Sequence, residues 1–244
     1  MTGAWPFFVR EMILVRRRFW KMLLSMAVSP LLFMIAFGWG LGGRLRMEGS
    51  DYLTFLAPGL MAMTSMTRAF AISSEINIAR FYWHIFEEFQ AAPVSALEIV
   101  LGECLAGCVR GLMGAAVVYC LALAFGVRIP PDPALLAALA LNTFIFASLA
   151  VGTSMTVRSH ADQALLTNFI ITPMAFLSGT FFSLAKLPAW AAAVINLVPL
   201  THTTRLIRAA SLGQPWPLSA LLVSLAFAGV FFFLSVKAVR LAQD

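Results

Sequence analysis

The sequence predicts an all-α polytopic membrane protein with six transmembrane helices, and three observations carry that reading. Of its 244 residues, 61% are hydrophobic. Only 11% are charged, against about 25% in a soluble domain, which is too few to coat a water-facing surface. The apolar residues gather in six runs, about 20–42, 53–74, 98–126, 134–157, 164–183 and 217–238, each near the roughly 20 residues that cross a bilayer as a helix. The runs lack alternation of period two, so helices are favoured over a barrel. Residues 1–244 read as a single transmembrane domain.

Before the first run, residues 3–18 mix Trp5, Phe7, Phe8, Met12, Ile13 and Val15 with Arg10, Glu11 and Arg16, the pattern of an amphipathic helix in the membrane interface. The first run is longer than the apolar core of a signal peptide, so it is read as a retained helix. Loop 42–52 is short and polar, and FLAPGL (Phe55 to Leu60) opens the second span with a proline near its end, where a lost backbone bond is easily satisfied. VRIPPDP, 127–133, reads as a tight turn, and so does RSHADQ, 158–163. Between Leu184 and Trp216 the chain is too polar to span and too apolar for a plain loop. Two short helices are expected there, starting at Pro188 and Pro199, the second ending at Gly213. A hairpin dipping into the outer leaflet and a surface hairpin are both open readings.

The charge is +6, with a pI of about 9.8, and its distribution argues for topology rather than nucleic acid. Arg10, Arg16, Arg17, Arg18 and Lys21 precede the first span and place the N-terminus in the cytoplasm. Six spans then bring the C-terminus, with Lys237 and Arg240, to the same side. The cysteines, Cys104, Cys108 and Cys120, all fall in the third span and imply no disulfide framework. No GxxxxGK[ST], HExxH, CxxC or GxSxG occurs, so enzyme chemistry in this chain is disfavoured and no metal site is expected. Gly107 and Gly111, like Gly38 and Gly42, have GxxxG spacing and read as helix-packing sites.

Three charges, Arg68, Glu103 and Arg110, fall within spans, where each should face a partner, water or headgroups. An Arg68–Glu103 pair is one arrangement open to them. A wet-looking amphipathic stretch, FYWHIFEEFQAAP, residues 81–93, separates the second span from the third. Phe81, Ile85 and Phe89 share a helical face with Glu87 and Glu88 beside it, before a break at Ala92-Pro93. A helix lying in the headgroups and a lever docking on a soluble motor both fit that pattern.

The chain resembles the membrane subunits of bacterial ABC-2-type ABC exporters over nearly its whole length. The resemblance rests on the FLxPGL-like start of the second span (Phe55, Leu56, Pro58, Gly59, Leu60), on EEFQAAPVSALEIVLGE (87–103), on FLSGTFFSLAKLPAW (176–190) and on NLVPLTHTTRLIRA (196–209). It implies a multi-pass protein of the bacterial cytoplasmic membrane, in two copies per transporter, each bound to a separate ATPase subunit that carries ATP and Mg. The permease itself holds no cofactor. The family's coupling helix falls on about 80–92, giving Phe81, Trp83, Ile85, Phe86, Glu87, Glu88 and Phe89 as ATPase-coupling residues, and its re-entrant hairpin on about 184–210. The implied cargo is an amphipathic or hydrophobic molecule: a drug, a lipid or a lipid-linked saccharide. Glu103 stands where many members have lysine, so no family role passes to it. Candidate pathway residues are Met61, Thr64 and Thr67 in the second span and Asn168, Thr172, Met174 and Phe176 in the fifth, with lipid-facing and packing roles equally open for each. The alternative class is an ion-coupled secondary transporter using the intramembrane charges, for which titratable carboxylates at midplane are scarce.

Overall fold

A computed structural model describes residues 3–38, 40, 46–47, 50–82, 94–184 and 187–243. Helix α1 (Ala4–Arg17) is separated from α2 (Phe19–Gly38) by Arg18, whose φ and ψ of −115° and 13° leave the helical region. Strands β1 (Arg46–Met47) and β2 (Ser50–Asp51) form a minimal antiparallel ladder with Arg46 opposite Asp51. Helices α3 (Tyr52–Phe70) and α4 (Ile72–Phe81) follow, joined through Ala71, which keeps right-handed helical angles. Then come α5 (Ala96–Ala124) and α6 (Pro133–Thr156). Helix α7 (His160–Leu166), a π-helical turn (Thr167–Ile171) and α8 (Thr172–Leu177) run on from one another. Helices α9 (Ala189–Asn196), α10 (Pro199–Ser211) and α11 (Leu218–Gln243) complete the chain.

The boundaries follow local chemistry. Ser95 and Glu98 form a reciprocal capping box that starts α5. Asp132 accepts from the Ala134 amide at 2.8 Å with Pro133 in the first turn of α6. Ser159 caps α7 through the Asp162 amide at 3.1 Å. Pro188 and Pro199 start α9 and α10, and Gly213 follows α10 with φ +66°, a conformation that glycine adopts without strain.

Among the described residues, five helical stretches are long and apolar enough to cross a membrane: Phe19–Gly38, Tyr52–Phe81, Ala96–Ala124, Pro133–Thr156 and Leu218–Ala242. The remaining expected run, 164–183, is instead divided, and its helix ends at Leu177. Pro173 is the cause. It has no N–H to give and its ring crowds the preceding turn, so the turn before it widens to π geometry. The Thr172 hydroxyl donates to the Thr167 carbonyl at 3.1 Å and helps cover the loosened backbone. Gly179, at φ +79°, then turns the chain away.

Helix α3 is the centre of the bundle. In the Tyr52–Phe81 stretch 83% of the apolar window is buried, against 17% for α2 and 22% for α11. Small residues make that burial geometrically feasible. A Cβ on Gly107 would lie 2.7 Å from the Ala147 Cβ, and one on Gly111 would lie 2.8 Å from the Ser65 carbonyl oxygen. Both glycines of this GxxxG therefore mark close helix contacts. Gly38 meets Leu53 in the same way, at 3.1 Å, while Gly42 is outside the described residues.

Helix lengths set the levels. The Phe37 and Tyr52 rings lie 5.8 Å apart and bring the end of α2 level with the start of α3. Twenty residues of α2 rise about 30 Å, the thickness of a hydrocarbon core. The α3–α4 stretch has 30 residues and rises about 45 Å, so α4 projects roughly 15 Å past the start of α2.

Gly111→Val should lower the thermal unfolding midpoint in detergent, the overpacking being worth about 1–3 kcal/mol. Gly229→Ala, inside α11 where an added Cβ meets nothing within 4 Å, should keep or slightly raise it, since alanine is the better helix former.

Candidate functional site

Phe7, Glu11 and Val15 are the buried residues of α1, spaced four apart on one face. A carboxylate on such a face must be paired, because burying a lone charge is prohibitively unfavourable. Glu11 is fully buried and accepts from two guanidinium groups: Arg10 at 2.7 Å and Arg110 of α5 at 2.6 Å. Arg110 also meets Glu75 of α4 at 3.2 Å, and Arg10 meets Glu103 of α5 at 3.5 Å. Five charged side chains therefore join α1, α4 and α5 in one network. Its centre is dry, since Glu11, Glu103 and Arg110 are buried, while its edge is wet, the Glu75 side chain being 40% exposed. Glu98 holds the start of α1 by accepting from the Gly3 amide at 3.1 Å. Gly102 permits the approach, since a Cβ there would sit 2.7 Å from the Ala4 carbonyl oxygen.

Helix α4 is tied on its other sides as well. Asn77 donates to the Gln163 side-chain oxygen at 3.1 Å, and Gln163 donates in turn to Ser73 at 3.0 Å, binding α7. The Arg80 guanidinium donates to the carbonyls of Ser154, Met155 and Val157 at 3.1, 2.9 and 3.5 Å. These are the unpaired acceptors at the negative end of the α6 dipole, where a cation is favoured.

A second polar link lies within the bundle. Asn142 of α6 donates to the Ala62 carbonyl and to Ser65 of α3, and accepts from Thr203 of α10 at 2.7 Å. At the other end, Arg208 of α10 lies over the Phe55 ring at 3.9 Å and donates to the Gly179 carbonyl at 2.9 Å. Tyr52 donates to the Phe181 carbonyl at 2.8 Å. Phe33, Phe37, Phe176 and Phe181 pack against one another around it, joining α2, α3 and the end of α8.

The residues singled out from sequence fall in several places. Phe81 ends α4; Trp83, Ile85, Phe86, Glu87, Glu88 and Phe89 lie outside the described residues. Glu103 and Arg110 belong to the ion network. Arg68 does not pair with Glu103 but donates to the Ser25 carbonyl of α2 at 3.0 Å. Met61 and Thr64 are buried in the bundle, and Thr67 is half-buried and donates to the Thr64 carbonyl. Asn168, Thr172 and Phe176 are exposed along the π-turn and α8, with Met174 half-buried. The sequence reading overlooked Glu11, Glu75, Arg80, Asn142 and Gln163 as positioning residues. Glu11 carried a visible signal: it sits four residues after Phe7 and four before Val15, a carboxylate on an apolar stripe. Among the described residues, no group of three or more His, Cys, Asp or Glu side chains is arranged to hold a metal ion.

Apolar helices of membrane-crossing length, with ionisable residues turned inward and paired, are the construction of a multi-pass membrane protein. The family described as ABC-2 type transporter matches residues 5–212, and the chain belongs to that family. It is 31% identical to Nodulation protein J of Sinorhizobium fredii over 219 residues, 88% of this chain and 84% of that one. It is 30% identical to Nodulation protein J of Rhizobium meliloti over 230 residues, 89% and 85% of the two chains. It is 29% identical to the Inner membrane transport permease YadH of Escherichia coli K12 over 189 residues, 76% and 73% of the two. The chain is accordingly a membrane transport subunit, of a family that normally works with an ATPase subunit.

Glu11→Ala should destabilise the folded protein by about 3–5 kcal/mol, because it leaves Arg110 buried with its shortest partner gone. Glu75→Ala, at the wet edge, should cost about 0–1 kcal/mol. Thermal unfolding of the two variants in one detergent measures the difference.

Proposed function

We propose that the chain is the transmembrane subunit of an ATP-driven exporter, acting as two copies with two separate ATPase subunits in the bacterial inner membrane. Six spans cross the bilayer, the fifth built from α7, the π-turn and α8, and both termini are cytoplasmic. Helix α1 lies at the inner interface against the projecting ends of α4 and α5, and α9–α10 form a hairpin dipping into the outer leaflet. ATP and Mg bind the partner subunit, which docks on about 80–92 through Phe81, Trp83, Ile85, Phe86, Glu87, Glu88 and Phe89. The cargo is amphipathic or hydrophobic (a drug, a lipid or a lipid-linked saccharide) and leaves the cytoplasm or inner leaflet between the two copies, past α2, α3 and the fifth span. The E. coli relative, named an inner membrane transport permease, supports the location and the transport role.

One observation carries this reading. Helix α4 leads directly into the 83–93 segment, and its side chains bond α5 through Glu75, α7 through Asn77 and Ser73, and α6 through Arg80. Arg110 extends the connection to α1. A displacement of about 80–92 by a motor is therefore delivered to four helices at once. Such a push favours the outward state only if the motor contacts the two states differently.

Joint charge reversal, Glu87→Lys with Glu88→Lys, should leave membrane insertion normal and reduce stimulation of the co-purified ATPase by about tenfold or more. Unchanged stimulation would sink the docking assignment. Transport that follows a proton gradient with no ATPase present would favour a secondary transporter instead.

A further inference from the structure

Four cations stand together at the corner between α1 and α2. Arg16 and Arg17 end α1, Arg18 is the bend and Lys21 lies in the first turn of α2. All four are exposed. Among the described residues none of them has a carboxylate within ion-pair distance, whereas Arg10 and Arg110 are bound to glutamates and Arg80 to carbonyls. An open groove of about 710 Å³ runs through the corner, walled by these four with Phe19 and Trp20, and no acidic residue lines it. From the second span, Arg68 reaches the same wall by donating to the Ser25 carbonyl.

The surface next to this groove is apolar. Trp20, Leu24, Val28 and Leu32 recur every four residues and are 76%, 70%, 54% and 60% exposed. The twelve steps from Trp20 to Leu32 rise about 18 Å, close to the roughly 15 Å depth of one leaflet's hydrocarbon. The level agrees, since α2 rises about 30 Å from its far end to Phe19, which puts the four cations at headgroup depth.

We propose that this corner binds an anionic phospholipid of the inner leaflet. Its phosphate diester is received by Arg16, Arg17, Arg18 and Lys21, and an acyl chain lies along Trp20 to Leu32. Guanidinium groups match phosphate oxygens in geometry as well as charge, and a basic cluster beside a span is drawn to anionic headgroups. The site rests on the cytoplasmic placement of the N-terminus proposed above.

The test equilibrates the full-length protein with mixed micelles holding equal phosphatidylglycerol and phosphatidylcholine, and counts the lipid that stays bound by mass spectrometry. Phosphatidylglycerol should be enriched about tenfold. Joint Arg16→Gln, Arg17→Gln, Arg18→Gln and Lys21→Gln should bring the ratio within about twofold of unity. Lysine in place of the three arginines, which keeps the charge and loses the fork geometry, should keep part of the preference, and neutralising Lys237 and Arg240 at the other end of the chain should leave it intact. If the neutralised protein does not fold, raising salt tenfold on the unmodified protein decides, because screening must erode the preference. Equal binding of the two lipids, a preference that survives neutralisation or high salt, or disulfide-linked dimers through Trp20→Cys would each overturn the site. Topology is read separately: Lys21→Cys should react with an impermeant maleimide only in inside-out vesicles. Reaction in right-side-out vesicles instead would refute the cytoplasmic placement without touching the lipid ratio.

Discussion

A carboxylate and a guanidinium that meet at 2.6 Å inside an apolar bundle hold one end of this protein together. Glu11 and Arg110 lie on α1 and α5, far apart in sequence, and neither tolerates burial without the other. Once they are joined, Arg110 can also reach Glu75, and Arg10 can reach Glu103. The position of α1 against α5, and of α5 against α4, is thus set by charge satisfaction as much as by packing. Apolar contact gives helices in a membrane little preference for one face over another, since lipid is as greasy as the neighbour. Buried ions and amides supply that preference.

The same logic recurs at each level of the bundle. Asn142 selects the faces of α3 and α10 that supply Ser65 and Thr203. Arg80 caps the end of α6, and Arg208 holds the turn after α8 against Phe55. The links through Asn142, Arg80, Arg208 and Glu75 each have one foot on α3–α4, in keeping with the burial of that stretch while α2 and α11 lie at the periphery. An element bonded on all sides moves with its neighbours. This is the property that the proposed relay through α4 requires.

Much of the fold was legible in the sequence because apolar length, prolines and capping residues are local signals. The runs that became α2, α3, α5, α6 and α11 are read from hydropathy, and the starts of α9 and α10 from Pro188 and Pro199. The interruption of the fifth run was not legible, because hydropathy continues through Thr172-Pro173 while the backbone hydrogen bonding does not; Pro173 widens the turn before it, and Gly179 turns the chain away. Of the site, Arg110 and Glu103 stood out as charges in apolar surroundings. Glu11 and Asn142 carried the same kind of signal, one on a stripe and one within a span, and it went unread.

The sequence by itself determined that the chain is helical and membrane-embedded, since both depend on which residues occur and in what order. It also placed the basic cluster beside the first span and the wet interval between the second and third. The tertiary structure alone decided which charges meet. Arg68 turned to the Ser25 carbonyl and Glu103 to Arg10, although sequence spacing allowed them to pair with each other. Spacing fixes the face of one helix, whereas a pair across two helices depends on their register and rotation, and here close-packed glycines and buried hydrogen bonds set both.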